Sequence, residues 1–240
     1  MALTDNLLAA YKLDDTSDYS GHGNTLTNTN SVTFGAGFIG NCAQFGSGNT
    51  NKVLSTSTNL GVGASDDLTI SYWARQASTN QGENIELAWN GGAKWIRAYR
   101  DQANTRWALY ADTVANFSSV GDGLGTNTWR HIVVTRIGTS TTLYVNTVSK
   151  LTTTASGTAA YSNGFKINGG FEGGFQDGDI DLVYVWNRAL SGGEISQLYN
   201  SGSGLEITIN NPRSSASSRS FASNRQLATS RSLASNRNFV

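Results

Sequence analysis

Apolar and polar residues alternate with a period of two through much of the first 200 residues of this chain. In residues 68–75, leucine, isoleucine and tyrosine fall on one face of an extended segment, and threonine, serine, tryptophan and arginine on the other. This period is typical of a β-strand with one buried face. Further strands are predicted at 84–89, 95–100, 106–111, 130–136, 142–146 and 180–186. Turn signals such as Asn90-Gly91-Gly92 separate them, which indicates an all-β fold, an antiparallel sandwich or barrel.

One short helix is predicted after the last of these strands. Ser191 and Glu194 have the spacing of a capping box, with serine at the N-cap and glutamate at the third helical position. From Ile195 onward, apolar residues follow at i, i+3 and i+4, which places them on one face of a helix. We expect this helix to end at Gly202 and Gly204.

The chain changes character at Pro212, its only proline. From residue 213 onward it contains no glycine, acidic residue or tryptophan, and an arginine recurs every six residues with alanine and Phe or Leu in phase. Six is divisible by the strand period of two but not by 3.6, so the repeat predicts an extended tail. A single extended strand does not bury an apolar row by itself. The tail therefore winds together with other copies or lies along a partner, and a disordered Ser/Arg-rich tail is the alternative.

The formal net charge of zero is divided between two parts of the chain. Residues 1–206 contain all 17 acidic residues and 12 of the 17 basic residues, whereas residues 207–240 contain the other five, all arginine. We therefore predict a folded body over 1–206 and a basic anchoring or oligomerisation tail over 207–240. The tail residues assigned to this role are Arg213, Arg219, Phe221, Arg225, Leu227, Arg231, Leu233, Arg237 and Phe239. Nucleic acid is an unlikely partner, because the arginines alternate with Phe and Leu and the body is acidic.

Few residues are available for the common catalytic and metal-binding chemistries. The single cysteine, Cys42, excludes an intrachain disulfide and a cysteine-cluster metal site, and we predict that it is a small buried residue. Two histidines, His22 and His131, leave little for a zinc site or a Ser-His-Asp triad. His131 lies in a predicted strand, and we expect a structural role for it.

Several motifs of the chain resemble the laminin-G-like, concanavalin-A-like jelly-roll family, in that family's order over residues 7–200. They include Tyr11-Lys12-Leu13-Asp14, the strand at 68–75, Trp129-Arg130-His131 and the closing run Gly178-Asp179-Ile180-Asp181. The resemblance implies an antiparallel jelly-roll β-sandwich with one short C-terminal helix, here followed by the extended hexapeptide-repeat tail. It also implies a tendency to bind glycans or proteins, but it does not imply an activity.

Two positions depart from the pattern of the family. Thr147 follows Asn146 where the family usually has glycine, so the turn after the Tyr-Val strand is altered. Leu182 stands where the family usually has a second acid, which removes one potential oxygen ligand.

A structural calcium ion is the one cofactor that we consider. Ca²⁺ prefers six to eight oxygen ligands from carboxylates and carbonyls, and the family sometimes carries it near the loops in question. The candidate ligands are Asp18, Asn24, Asp179 and Asp181. The favoured alternative is that Asp18, Ser20 and Asn24 hold turns through hydrogen bonds to the backbone.

We predict that the protein is not an enzyme. Related sandwich glucanases carry carboxylates two residues apart on one strand face, because the acid and the nucleophile must flank one bond. The nearest pair here, Glu83 and Glu86, has a spacing of three and no third acid.

Glycan binding is predicted for an aromatic face on two neighbouring strands. Sugars stack on exposed aromatic rings while polar groups orient them. The candidate residues are Trp95, Arg97, Tyr99, Arg106 and Tyr110. The alternative is that this face belongs to the core, where aromatic side chains are usually buried.

These features together predict a non-enzymatic virion surface protein: a capsid decoration or head-fibre protein, or a fibre adhesin. No secretory signal is apparent, so we expect synthesis in the host cytoplasm and assembly on the virion surface, without a membrane partner. The lectin-like body would face outward and touch cell-surface glycans, while the tail contacts capsid or fibre proteins and forms a homo-oligomer, with a trimer favoured. The main alternative is a stand-alone carbohydrate-binding module. A cell-surface or matrix interaction protein is the third class.

Overall fold

A computed structural model describes the body of the chain in ten stretches: residues 1–46, 51–63, 66–76, 82–90, 93–101, 106–111, 114–118, 127–154, 164–168 and 178–209. The chain divides into one unit over Met1–Ile209 and a second over Asn210–Val240. The first unit ends three residues beyond the predicted boundary at 206. The anchoring residues assigned to the hexapeptide tail lie outside the described residues, so the order and assembly of the tail stay predictions.

Fifteen strands and one α-helix are present in the described part of the body. They are β1 (Leu7–Tyr11), β2 (Thr27–Thr29), β3 (Thr33–Ala36), β4 (Asn41–Gly46), β5 (Val53–Ser55), β6 (Leu68–Gln76), β7 (Gly82–Asn90), β8 (Ala93–Asp101), β9 (Arg106–Ala111), β10 (Val114–Phe117), β11 (Arg130–Ile137), β12 (Ser140–Val145), β13 (Val148–Thr154), β14 (Phe165–Ile167), β15 (Gly178–Trp186) and α1 (Gly192–Tyr199). No helix in these ranges is long and apolar enough to cross a membrane.

The strands form two antiparallel sheets. Sheet A has the order β13-β12-β11-β6-β15-β4-β3, and β1 also pairs with β15. Sheet B has the order β10-β9-β8-β7-β14-β5-β2. All seven strands predicted from the sequence are present, as β6, β7, β8, β9, β11, β12 and β15, which confirms the all-β sandwich.

The main core lies between the two sheets. The face of β6 that carries Leu68, Ile70 and Tyr72 is buried there, as its alternation predicts. Sheet B contributes Trp107 and Phe165 to the same core. Because each large apolar side chain removed from water contributes about 1.5–3 kcal/mol, this interior is the principal favourable term in the stability of the body.

A second apolar layer covers the other face of sheet A. Trp73 and Trp186 of this sheet pack there with Ile195 and Leu198 of α1 and with Ile207 of the segment that follows the helix. We call this layer the outer-face cluster. It fixes the last residues of the body on sheet A, on the side away from sheet B.

Hydrogen bonds fasten the two ends of the body to this layer. The Trp186 Nε1 donates to the carbonyl oxygen of Leu3 at 2.6 Å, and the Ile207 amide donates to the Tyr184 hydroxyl at 3.1 Å. The Arg188 guanidinium donates to the Ala2 carbonyl oxygen at 3.0 Å and lies 2.8 Å from a carboxylate oxygen of the helical Glu194. The N-terminal segment, α1 and the C-terminal segment are therefore held on one face.

The helix begins as predicted and ends earlier than predicted. The Ser191 Oγ accepts from the Glu194 amide at 3.3 Å, and the Glu194 carboxylate accepts from the Ser191 amide at 2.9 Å, so the capping box is confirmed. The α-helix itself ends at Tyr199, with Asn200 as C-cap at φ 48°, and one 3₁₀ turn, Asn200–Gly202, continues to the first predicted glycine. Asparagine tolerates this left-handed conformation better than most residues, and this explains the earlier end.

Candidate functional site

The predicted aromatic face lies on sheet B and is turned away from the main core. In the pairing of β8 with β9, Arg97 is opposite Tyr110, whereas Ile96 and Ala98 alternate with it and belong to the main core. Because side chains alternate across a strand, Arg97, Tyr99 and Tyr110 share the outer face of sheet B. The aromatic residue of β9 that enters the core is instead Trp107.

Three of the predicted glycan-binding residues contact one another on this face. The guanidinium carbon of Arg97 lies 4.6 Å from the ring centroid of Tyr99 and 4.7 Å from that of Tyr110. The two tyrosine rings stack with their centroids 5.7 Å apart and an angle of 24° between their planes. An arginine over an aromatic ring is attracted by the negative face of the ring, by about 0.5–2 kcal/mol. We call this group the Arg97 cluster.

The members of the predicted set differ in access to solvent. Arg97 is 2% exposed and Tyr99 is 9% exposed, while Tyr110 and Arg106 are half-buried. Burial raises the pKa of the Tyr99 hydroxyl above its usual range, and its hydrogen bond with Tyr110 acts in the same direction. Tyr99 therefore stays neutral at physiological pH, and Tyr110 and Arg106 are the members that a ligand can reach. The side chain of Trp95 lies outside the described residues.

A β-bulge in β7 alters the position of the two glutamates that the sequence analysis set aside. Glu83 is opposite Tyr99 and Glu86 is opposite Arg97, with a register shift between Glu83 and Ile85. The extra residue, Asn84, accounts for this register shift. The side chains of both glutamates lie outside the described residues, so the argument from their spacing stays a prediction. The prediction of a non-enzymatic protein stays a prediction.

A row of polar positions crosses sheet B beside the Arg97 cluster. Lys166 of β14 is opposite Glu86 of β7, which is opposite Arg97 of β8, and Arg97 is opposite Tyr110 of β9. Directly paired residues of an antiparallel sheet lie on the same face. In the register of sheet B, Glu86 thus lies between the two basic residues Lys166 and Arg97.

Asp18, a predicted calcium ligand, organises the turn that follows β1. Its carboxylate accepts from the amides of Ala10 at 3.0 Å, Ser20 at 2.9 Å and Asn24 at 2.9 Å, and from the Ser20 hydroxyl at 2.8 Å. The expected turn-holding role of Asp18 is confirmed by these bonds.

The other two predicted carboxylate ligands also have protein partners. The Arg75 Nε donates to the Asp179 carboxylate at 3.0 Å, and the two side chains form an ion pair. Asp181 is fully buried and accepts from the backbone amides of Phe38, Ile39 and Leu182 at 2.8–3.0 Å. Burial raises the pKa of Asp181 to about 7, against the three amides, which lower it.

No metal-binding group emerges from these residues in the described ranges. Among them, no set of three or more His, Cys, Asp or Glu side chains is arranged to hold an ion. The calcium site with Asp18, Asn24, Asp179 and Asp181 therefore stays a prediction.

His131 and Cys42 are both buried, as was predicted for Cys42. The His131 Nε2 lies 2.8 Å from the Ser71 hydroxyl oxygen, and its ring stacks 5.2 Å from Trp73 and 6.1 Å from Tyr199 of the helix. Burial lowers the pKa of His131 to about 3, so the ring is neutral at physiological pH. It packs beneath α1, which is the expected structural role. Cys42 is completely buried, and burial raises its pKa to about 12.

The fold and the sequence agree on the family. Residues 47–196 match a laminin-G family model that is described as the Concanavalin A-like lectin/glucanases superfamily. The chain belongs to this superfamily. No curated protein matches the sequence of this chain. Membership of the superfamily accounts for the two facing antiparallel sheets.

Solved structures of similar fold include domains of larger proteins. The binding domain of Paraclostridial Mosquitocidal Protein 1 matches with a TM-score of 0.65 and 20% identity, over 84% of this chain and 53% of that chain. A second similar structure is Domain 4 of AbnA, a GH43 extracellular arabinanase from Geobacillus stearothermophilus, in complex with arabinotriose. It matches with a TM-score of 0.64 and 18% identity, over 80% of this chain and 97% of that chain.

A third similar structure is the binding domain of Botulinum neurotoxin DC in complex with SialylT. It matches with a TM-score of 0.65 and 14% identity, over 83% of this chain and 52% of that chain. The chain thus spans about half the length of the two toxin binding domains. At these identities the similarity shows the superfamily fold and no more.

Proposed function

We propose that the body is a non-enzymatic lectin-like domain that binds saccharides on the outer face of sheet B. The observation that carries this proposal is the Arg97 cluster, in which one buried arginine holds two tyrosine rings on the face opposite the main core. The half-buried Tyr110 ring is held in place by its neighbours, so it stacks on a sugar at a low entropic cost, and neighbouring polar groups orient the hydroxyls. Two structures of similar fold, with arabinotriose and with SialylT, lend support.

The first test compares glycan binding by the wild type and by Tyr110→Ala. Tyr110 is the half-buried ring of the cluster, and we expect its removal to weaken saccharide binding by about tenfold or more, as the loss of one stacking ring implies. Tyr19→Ala is the matched control, because Tyr19 is an exposed tyrosine of the loop after β1. Equal binding by wild type and Tyr110→Ala, or no glycan bound by the wild type, would overturn the assignment.

A second readout tests the non-enzymatic part of the proposal. The bound saccharide is recovered after prolonged incubation with the protein and analysed by mass spectrometry. We expect it to be intact. Cleavage products that disappear in a Glu83→Gln and Glu86→Gln double variant would show a hydrolase instead.

We further propose that the protein is displayed on a virion surface, with the tail over 207–240 as its anchor and trimerisation segment. Leu205, Ile207 and Ile209 pack on the outer-face cluster of sheet A. The last described residues of the body therefore lie on the face of sheet A away from sheet B, opposite the proposed saccharide face. This placement of the last body residues supports a domain that is held at its C-terminal end.

The tail proposal is tested by the molar mass of the full chain and of residues 1–209, measured by light scattering. We expect a trimer for the full chain and a monomer without the tail. Two monomers, together with a tail that stays protease-sensitive when purified capsid or fibre proteins are added, would refute it.

A stand-alone carbohydrate-binding module is the second candidate function. The observation in its favour is that the fold of this chain covers 97% of an arabinanase domain solved with arabinotriose. A monomeric full chain that binds polysaccharide and no particle protein would favour this candidate over virion display.

A further inference from the structure

A tryptophan, an arginine and an aspartate contact one another on the outer face of sheet A. Arg75 and Asp179 are opposite each other in the pairing of β6 with β15, and the Arg75 Nε donates to the Asp179 carboxylate at 3.0 Å. The guanidinium carbon of Arg75 lies 5.1 Å from the ring centroid of Trp129, the residue before β11. We call these three residues the Trp129 group.

The ring of Trp129 is held in place by its neighbours. Phe38 lies 5.7 Å from it, with an angle of 52° between the ring planes, and Phe38 itself stacks on the buried Trp73 at 3.9 Å. The negative face of the indole attracts the Arg75 guanidinium, which the ion pair with Asp179 keeps in position. Because the ring is preorganised, a ligand that stacks on it loses little further conformational entropy.

Solvent reaches the Trp129 group. The side chain of Arg75 is 34% exposed and that of Asp179 is 14% exposed, while Trp129 is half-buried. The segment that follows α1 is anchored farther along β15, where the Tyr184 hydroxyl accepts from the Ile207 amide. Asp179 lies five positions before Tyr184, which at about 3.3 Å per strand residue is a separation of about 16 Å.

The polar atoms of this group suit a pair of neighbouring hydroxyls. A guanidinium carries five N–H donors, and Asp179 accepts from the Nε and the Nη2 of Arg75. In the part of the chain that the structure describes, no group accepts from the Arg75 Nη1 or from the Trp129 Nε1. Two donors therefore stand beside the ring and beside the partly exposed carboxylate of Asp179.

We propose that the Trp129 group is a second saccharide-binding site and that it takes a neutral sugar. The sugar ring packs on the exposed part of the indole, and its hydroxyls pair with the Arg75 guanidinium and the Asp179 carboxylate. The charges of these two residues cancel, so the site offers no net attraction to a charged sugar. It is separate from the Arg97 cluster, which lies on the other sheet, so one body binds two saccharides.

The test is calorimetric titration of the full chain with the neutral oligosaccharide that binds best on a glycan array. We expect two saccharides per chain for the wild type and one for Trp129→Ala. Arg75→Lys keeps the positive charge but lacks the planar fork, so we expect it to weaken the second site by about tenfold. Thermal unfolding verifies that each variant is folded, and if Trp129→Ala is not, Arg75→Lys decides.

Tyr144→Ala is the matched control, because Tyr144 is another half-buried aromatic residue of the outer-face cluster, opposite Val133 of β11. We expect it to bind two saccharides, as the wild type does. A single site that only Tyr110→Ala weakens overturns the second site and leaves the proposed function intact. A single site that only Trp129→Ala removes supports the Trp129 group and overturns the site on sheet B.

Two further outcomes count against the proposal. Two saccharides bound with wild-type affinity by a folded Trp129→Ala or by Arg75→Lys overturn the assignment to the Trp129 group. Binding of no glycan by the wild type overturns both proposals.

Discussion

The turn between β12 and β13 contains a residue in a backbone conformation that its side chain disfavours. Asn146 and Thr147 form a two-residue loop, and both have positive φ, 48° and 69°. Two-residue hairpin loops adopt this conformation because it matches the twist of the strands, and they favour Asn-Gly. Asparagine suits the first position, where its Oδ1 also accepts from the His131 amide at 2.9 Å. Threonine is β-branched and is strained at the second.

The expected gain from Thr147→Gly follows from two opposing terms. An L-residue with a β-carbon loses about 1–2 kcal/mol in the left-handed region, and glycine does not. Against this gain, glycine reduces the stability by about 0.5–1 kcal/mol, because it increases the conformational freedom of the unfolded chain. The net stabilisation is therefore about 0.5–1 kcal/mol, which raises the melting temperature of a body of this size by about 1–4 °C.

The assay is urea unfolding of the full chain followed by tryptophan fluorescence, with thermal melting as a second readout. Gly138→Ala is the reverse control, because Gly138 has φ 54° and a Cβ there meets no atom within 4 Å. We expect this variant to lose about 1 kcal/mol through the backbone alone. A destabilised Thr147→Gly variant, or a Gly138→Ala variant as stable as the wild type, would refute the reasoning from backbone strain.

Three further predictions concern buried or capping groups. Burial lowers the pKa of His131 to about 3. Between about pH 6.5 and pH 3 the unfolded chain therefore binds one proton more than the folded chain, so the free energy of unfolding decreases as the pH is lowered. We expect His131→Gln to remove about 1 kcal/mol of this decrease for each pH unit, measured by thermal unfolding at acid pH. Ser191→Ala should cost about 1 kcal/mol in urea unfolding, because the capping box is lost. Asp181→Ala should cost about 2–3 kcal/mol in the same assay, because three backbone amides lose their acceptor.

Each of these predictions has a matched comparison. His22→Gln changes an exposed histidine, and an equal effect on the acid melt would contradict the role of His131. Ser196→Ala changes an exposed serine within α1, and a loss as large as that of Ser191→Ala would contradict the capping argument. Asp181→Asn retains one acceptor oxygen, so it should be more stable than Asp181→Ala. The opposite order would contradict the hydrogen-bond argument.

Strands with a clear apolar alternation could be predicted from the sequence. The alternation in 68–75 identified the buried face of β6, and β9 begins and ends at the predicted residues 106 and 111. The capping box of α1 is also as predicted, because a cap depends on residues three positions apart. These features are local, so the sequence expresses them directly.

Short and polar strands were missed because they carry no such signal. All three residues of β2 are exposed, and β14 has only three residues, so neither shows a period. They are strands because their neighbours in sheet B offer backbone hydrogen bonds. Asp181 is a similar case: its sequence neighbourhood suggested a metal ligand, whereas its carboxylate accepts from two amides of the loop before β4, beside a register shift in β15.

The sequence by itself determined the fold class, the aromatic and basic residues of the candidate face, and the separation of an acidic body from a basic tail. Only the tertiary structure decided that Arg97 packs against two stacked tyrosine rings on the outer face, and that a register shift in β7 sets Glu83 opposite Tyr99 and Glu86 opposite Arg97. The reason is physical. A β-bulge exists only between two paired strands, so the face on which a residue falls depends on a partner strand that the local pattern does not contain.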